Sequence, residues 1–146
     1  MSIVIDLADA IVAELAAAPA GTFNQAIDPQ RRVLPQFELA ELDELKVTVV
    51  PKAVDISNAS RVASQYDVQV DIGVQKRVSK TVDADVEDLF DLVDEIYGFL
   101  QRRQLATLQQ AIWLRTANSP IYSPEQLSAD RVFTSVLTVT YRLIRQ

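Results

Sequence analysis

Residues Asp83–Arg103, DADVEDLFDLVDEIYGFLQRR, carry the strongest helical pattern in the chain. At 3.6 residues per turn, the apolar side chains fall on one broad arc and the acidic side chains fall on the opposite arc. The apolar arc holds Val86, Leu89, Phe90, Leu92, Val93, Ile96, Tyr97, Phe99 and Leu100. This pattern predicts a long amphipathic helix whose apolar side packs on a sheet.

The polar side of this helix is acidic, and no basic residue lies within it. Its carboxylates belong to Glu87, Asp88, Asp91, Asp94 and Glu95. Asp91 has like charges three and four residues away in both directions, and each such pair costs about 0.2–0.5 kcal/mol in an isolated helix. The simplest interpretation is a solvated face. A second is a surface that repels polyanions or binds a basic partner, and a third is a metal site at Asp88, Asp91 and Glu95.

Composition excludes several classes of function. The net charge of −6 is wrong for a general nucleic-acid binder that neutralises phosphates. The chain has no Cys and no His, so it lacks thiol chemistry, the usual general base and the commonest metal ligands. It also lacks a glycine-rich phosphate loop and any apolar run of transmembrane length. Most familiar hydrolytic machinery is therefore excluded, although carboxylate pairs remain possible. We predict a non-enzymatic protein with no cofactor, and we assign no catalytic or metal residues.

The remaining segments alternate between helical and β patterns. Helix is predicted for Ile3–Ala18, and strands are predicted for Thr22–Ile27, Leu45–Val50, Tyr66–Val74, Ala111–Thr116 and Arg131–Arg145. This order predicts one α+β domain over residues 1–146, with a mixed or antiparallel sheet of about four strands and helices packed on one face.

Two polar segments are predicted to be loops, and at least one of them is predicted to contact a partner. The segment Val54–Gln65 lies in a long connection that follows Pro51, where the preceding strand is expected to end. The segment Asn118–Ser128 carries Ile121 and Tyr122 between prolines, where both side chains are expected to be exposed.

The ordered features together resemble a known family. They are the N-terminal amphipathic helix, LKVTVVPKAVDISNASR, the alternating YDVQVDIGVQKRV, the acidic LFDLVDEIYGFL, PIYSPEQL and the terminal RVFTSVLTVTYRL. This succession resembles the tail-terminator and minor tail proteins of tailed bacteriophages and gene transfer agents, and it covers nearly the whole chain. The resemblance implies an α+β subunit of a hexameric ring. Such a ring ends tail-tube polymerisation and joins the tail to the head.

The resemblance also implies partners and a location. The partners are further copies of the chain, the tail-tube protein and the head connector, while DNA passes through without specific binding. The protein is expected in the virion tail or neck, assembled in the host cytoplasm and not in a membrane. The candidate assembly or lumen surface comprises Glu87, Asp88, Asp91, Asp94, Glu95, Arg77, Arg131, Ile121 and Tyr122.

Two alternatives stay open at this point. One is another neck or minor tail adaptor of the same fold. The other is a small ligand-binding or enzymatic domain that uses a carboxylate pair or a pocket around Tyr97, Trp113 and Tyr122.

Overall fold

A computed structural model of the chain describes residues 2–33, 41–78, 82–119 and 121–145. The elements, in chain order, are helix α1 (Ile3–Ala16), strand β1 (Pro29–Arg31), a 3₁₀ turn (Glu41–Asp43), β2 (Lys46–Asn58), β3 (Ser64–Arg77), α2 (Val82–Leu100), β4 (Ile112–Asn118), α3 (Pro124–Asp130) and β5 (Val132–Arg145). The strands form one sheet in the order β1-β2-β3-β5-β4.

The predicted fold class is confirmed, and the sheet is mixed. Strand β1 pairs with β2 in parallel, whereas the pairs β2–β3, β3–β5 and β4–β5 are antiparallel. The sheet has five described strands instead of about four, because the short β1 adds a strand at one edge. The two ends of the order place β1 and β4 at opposite edges of the sheet.

The core lies between one face of the sheet and the two long helices. Alternate residues of β3 are fully buried, as the sequence predicts: Val68, Val70, Ile72 and Val74. They form a single apolar cluster with α1 and with the predicted apolar arc of α2, which contributes Leu89, Leu92, Val93, Ile96 and Leu100. No helix in the described part of the chain is long and apolar enough to cross a membrane.

The prediction of a strand at Thr22–Ile27 is wrong, because the first strand lies further along the chain. Residues 22–25 form bends, and the strand is β1 at Pro29–Arg31. Phe23 nevertheless packs against the core, and its ring meets that of Phe99 edge to face at 5.6 Å. The apolar character of the segment Thr22–Ile27 therefore reflects the packing of Phe23 against the core, and it does not indicate a strand at that position.

Strand β2 continues through Pro51, where the sequence predicts that it ends. It pairs with β3 as far as Asn58, with a bulge between Pro51 and Ala53. Among the described residues, β1 covers the outer edge of β2 only as far as Val49. A bulge and an unpaired edge are the two settings in which a strand tolerates proline. The predicted long connection is instead mostly a β-hairpin, and its turn comprises residues 59–63.

One ionic contact links α1 to the segment that follows α2. Glu14 of α1 is buried, and its carboxylate accepts hydrogen bonds from Arg103 Nε at 2.7 Å and from the Ala106 backbone N–H at 2.6 Å. Burial alone raises the pKa of Glu14, but these two hydrogen bonds and the Arg103 charge outweigh burial and lower it. Arg103 also lies over the Phe99 ring, 4.0 Å from its centre.

Candidate assembly surfaces

The acidic face of α2 divides into two rows. Seven residues make about two helical turns, so Glu87 and Asp94 lie on one line along the helix, with Asp91 beside it. Asp88 and Glu95 lie on a second line, about 100° around the axis. We call Glu87, Asp91 and Asp94 the carboxylate row; all three side chains are exposed.

The second line faces the segment that follows α1. The backbone N–H of Asn24 donates to Glu95 Oε1 at 2.9 Å, and the Asn24 side-chain amide donates to the Asp88 carbonyl, also at 2.9 Å. Glu95 is accordingly half-buried, while Asp88 remains exposed. The solvated-face interpretation therefore fails for Glu95, because its carboxylate binds the chain's own backbone.

The two candidate arginines lie outside the acidic face. Arg77 Nη1 is 3.5 Å from Asp43 Oδ1, so it has an ion-pair partner in its own chain. It also lines a cavity of about 500 Å³ that includes Lys76, Asp85 and Asp88. Arg131 is exposed and adopts a left-handed backbone conformation (φ 57°) just before β5.

The three carboxylates considered as a metal site do not form one. Within the described ranges, no three acidic side chains come together in a group that would hold a metal ion. Glu95 already accepts a hydrogen bond from the Asn24 backbone N–H. The described residues therefore give no support to a metal interpretation of Asp88, Asp91 and Glu95.

A groove of about 660 Å³ runs between α2 and the segment that follows β4. Its lining is largely apolar and aromatic: Phe90, Asp94, Tyr97, Thr116, Asn118, Ile121, Tyr122 and Leu137. The Phe90 ring forms its floor and meets the rings of Tyr122 and Phe133 edge to face, at 5.8 and 5.4 Å. We call this feature the aromatic groove.

Ile121 and Tyr122 form the rim of the aromatic groove. Both side chains are exposed, as the sequence predicts. Ile121 is 55% exposed and Tyr122 is 37% exposed. At the opposite wall, the negative charge of Asp94 raises the pKa of Tyr97, helped by burial and by the hydrogen bond between the two side chains. The groove therefore combines an apolar lining with one carboxylate, that of Asp94, which belongs to the carboxylate row.

The predicted pocket around three aromatic residues is only partly formed. Tyr97 and Tyr122 line the aromatic groove, but Trp113 lines a separate cavity with Arg102 and Arg103. The indole N–H of Trp113 donates to Thr116 Oγ1 at 2.9 Å. Trp113 lies on β4, where a bulge between Trp113 and Arg115 shifts the register against β5.

The hairpin between β2 and β3 ends in an exposed apolar tip that the sequence analysis missed. Ile56 is 63% exposed and Val62 is 70% exposed. The backbone N–H groups of Ala59 and Ser60 both donate to the Ala63 carbonyl at 3.1 Å, which closes the turn. The alternation of Val54 and Ile56 with polar neighbours is a β signal that would have revealed this hairpin. We call Ile56–Ala63 the hairpin tip.

Comparisons with known proteins gave matches among solved structures only. No family model matches the chain, and no curated protein matches it. Among solved structures, the chain is similar to the sheath/tube terminator of an extracellular contractile injection system, PVC, in its extended state. The TM-score is 0.43 and the sequence identity is 18%. The alignment covers 100% of this chain and 57% of that one, so this chain spans a little over half of its length.

Proposed function

We propose that the chain is a structural subunit of a tail terminator. In this role it forms a ring, hexameric by the sequence resemblance, that caps the head-proximal end of a tail tube. The ring ends tube polymerisation and presents the surface to which the head connector binds. Its partners are other copies of the chain, the tail-tube subunit and the connector.

The observation that carries this proposal is the placement of the exposed apolar side chains. Ile56 and Val62 are exposed at the hairpin tip, and Ile121 and Tyr122 are exposed on the rim of the aromatic groove, well separated from the tip along the strand direction. Exposed apolar groups that cluster in this way mark interaction surfaces. A subunit that contacts a neighbour on each side in a ring needs two such surfaces, placed apart from each other.

The charge of the chain supports the same role. A channel through which DNA travels works best when its wall does not bind phosphate, and the chain carries a net charge of −6. The exposed members of the acidic face are therefore suited to the lumen or to a basic contact. The resemblance in element order to tail-terminator proteins agrees with this assignment.

A gene deletion tests the proposal and separates it from the adaptor alternative. Without a terminator, tail tubes should grow to irregular lengths and remain unattached to heads. Without an adaptor, tails should keep their normal length but still fail to join heads. Electron microscopy of lysates from the deletion strain measures both properties. Tails of normal length that join heads in the deletion strain would overturn the proposal.

A further inference from the structure

We propose that the hairpin tip of one copy inserts into the aromatic groove of the next copy, head to tail. This inference rests on the proposed function, because it specifies how neighbouring subunits of the ring hold one another. The occupant of the groove is therefore a second copy of this chain. The contact is heterologous, which means that each copy uses its tip on one side and its groove on the other.

The two surfaces match in polarity. The hairpin tip presents Ile56 and Val62, and both side chains are more than half exposed. The aromatic groove presents Phe90 at its floor and Ile121 and Tyr122 at its rim. Seating a branched aliphatic side chain against these groups removes apolar surface of both copies from water, which favours the contact.

The two surfaces also match in charge. Arg61 is the only charged residue between Ile56 and Tyr66. It is exposed, and it forms no ion pair with any residue that the structure describes. Asp94 of the carboxylate row lines the groove, and the three exposed acids of that row repel one another along α2. A cation beside these carboxylates reduces their mutual repulsion. Assembly is therefore more favourable when Arg61 of one copy lies near the carboxylate row of the next.

A single chain cannot satisfy this contact by itself. The tip lies beyond the pair Ser64–Arg145, whereas the groove is lined by Leu137, eight residues earlier on β5. At about 3.3 Å per residue, the two sites are roughly 26 Å apart along the strand direction. The segment that carries Ile121 lies further away still, since Ser119 donates its N–H to the Val136 carbonyl. The tip therefore does not reach the groove of its own chain, and the occupant that we propose is the tip of a second copy.

Engineered cysteines test the contact without background, because the chain contains no Cys. The variant combines Val62→Cys in the tip with Ile121→Cys on the groove rim, and both positions are exposed. A disulfide requires Cα atoms within about 7 Å, so it cannot form within one chain. The matched control combines Val62→Cys with Val33→Cys; Val33 is 75% exposed and follows β1, at the sheet edge opposite β4.

The test is a non-reducing gel after mild oxidation, with light scattering of the reduced protein in parallel. We expect a covalent ladder that extends beyond the dimer for the tip–groove variant and at least tenfold less cross-linking for the control. Dimers alone would show reciprocal pairing and overturn the head-to-tail contact. Particles with the mass of a ring in light scattering, without cross-links on the gel, would overturn this inference and leave the proposed function intact. A protein that stays monomeric and is absent from purified tails would overturn both.

A charge reversal tests the electrostatic part of the same contact. Arg61→Glu should raise the protein concentration needed for half-maximal assembly by about tenfold. Adding Asp91→Arg in the same chain should recover most of this loss, since it restores opposite charges across the contact. Arg102→Glu makes the same charge change at an exposed position outside the tip and should have a smaller effect. Equal losses for Arg61→Glu and Arg102→Glu, with no recovery, would overturn the proposed pairing.

Discussion

Glu14 is a buried acid that connects α1 to the segment following α2. Its side chain is 7% exposed, and both carboxylate oxygens accept hydrogen bonds from residues about ninety positions further along the chain. No pattern in the sequence relates Glu14 to Arg103, because contacts at this separation depend on the finished fold. Only the packing of α1 against the segment that follows α2 shows the role of Glu14.

Replacing Glu14 by Gln should destabilise the protein by about 1–2 kcal/mol at neutral pH, because a charge-assisted hydrogen bond becomes a neutral one. The folded pKa of Glu14 lies below its usual value of 4.5. Its carboxylate therefore contributes stability above the unfolded pKa, and that contribution is lost as the pH falls through the folded pKa. Thermal melts of both proteins between pH 3 and pH 7 check this prediction.

The gap in melting temperature should be about 3–6 °C at pH 7 and should close on acidification. Asp9→Asn is the matched control, since Asp9 also lies on α1 and pairs with Arg31, but its side chain is 55% exposed. Its effect should stay below about 1 kcal/mol. A gap for Glu14→Gln that persists unchanged at pH 3 would contradict the assigned ionisation.

Asp91 has a different chemistry, because repulsion is its main interaction within the chain. Replacing it by Asn should stabilise the dilute monomer by a few tenths of a kcal/mol, because the substitution removes the like-charge pairs that Asp91 forms with four acidic neighbours. The same change should weaken assembly several-fold, since Asp91 belongs to the carboxylate row that receives Arg61. Melting temperature and light scattering on the same variant measure the two effects.

Asp88→Asn is the control for Asp91→Asn. It also removes a like charge from the acidic face, but Asp88 lies on the line beside Asn24 and away from the groove. Asp88→Asn should leave assembly unchanged. If Asp91→Asn destabilises the monomer, Asp91 has an attractive partner within its own chain and the repulsion argument fails.

Among the elements, those with a regular apolar pattern are the ones that the sequence predicts correctly. The period-2 alternation of β3 and the 3.6-residue period of α2 each survive in the structure, because burial of one face selects that period. The prediction fails at Pro51, where an open strand edge and a bulge cancel the usual effect of proline. It also fails at β1, because three residues are too few to show a period.

The hairpin tip should be dispensable for folding and required for assembly. Val62→Ser removes a side chain that is 70% exposed, so the free energy of unfolding should change by less than about 0.5 kcal/mol. Assembly should nevertheless be reduced at least tenfold, because the apolar group that enters the groove is lost. Val33→Ser, at a similarly exposed site near the other sheet edge, should preserve assembly. Equal assembly by both variants would contradict the role of the tip.

For the whole molecule, the sequence predicts the α+β class correctly but not the arrangement of the surfaces. Ile121 and Tyr122 are correctly expected to be exposed, and the acidic residues are correctly placed on one side of α2. The aromatic groove is not visible in sequence, since Phe90, Thr116 and Leu137 come from three separate elements. Its role as an assembly surface, and that of the carboxylate row, stay predictions.

The most direct test of the central claim is the mass of the particle that the purified chain forms. Sedimentation velocity over a concentration series, with electron microscopy of the heaviest fraction, measures both mass and symmetry. We predict a closed ring, with six copies as the expected number, that appears as the concentration rises and dissociates on dilution. A chain that remains a monomer at every concentration, and that is absent from purified tails, would contradict the claim that it is a ring subunit.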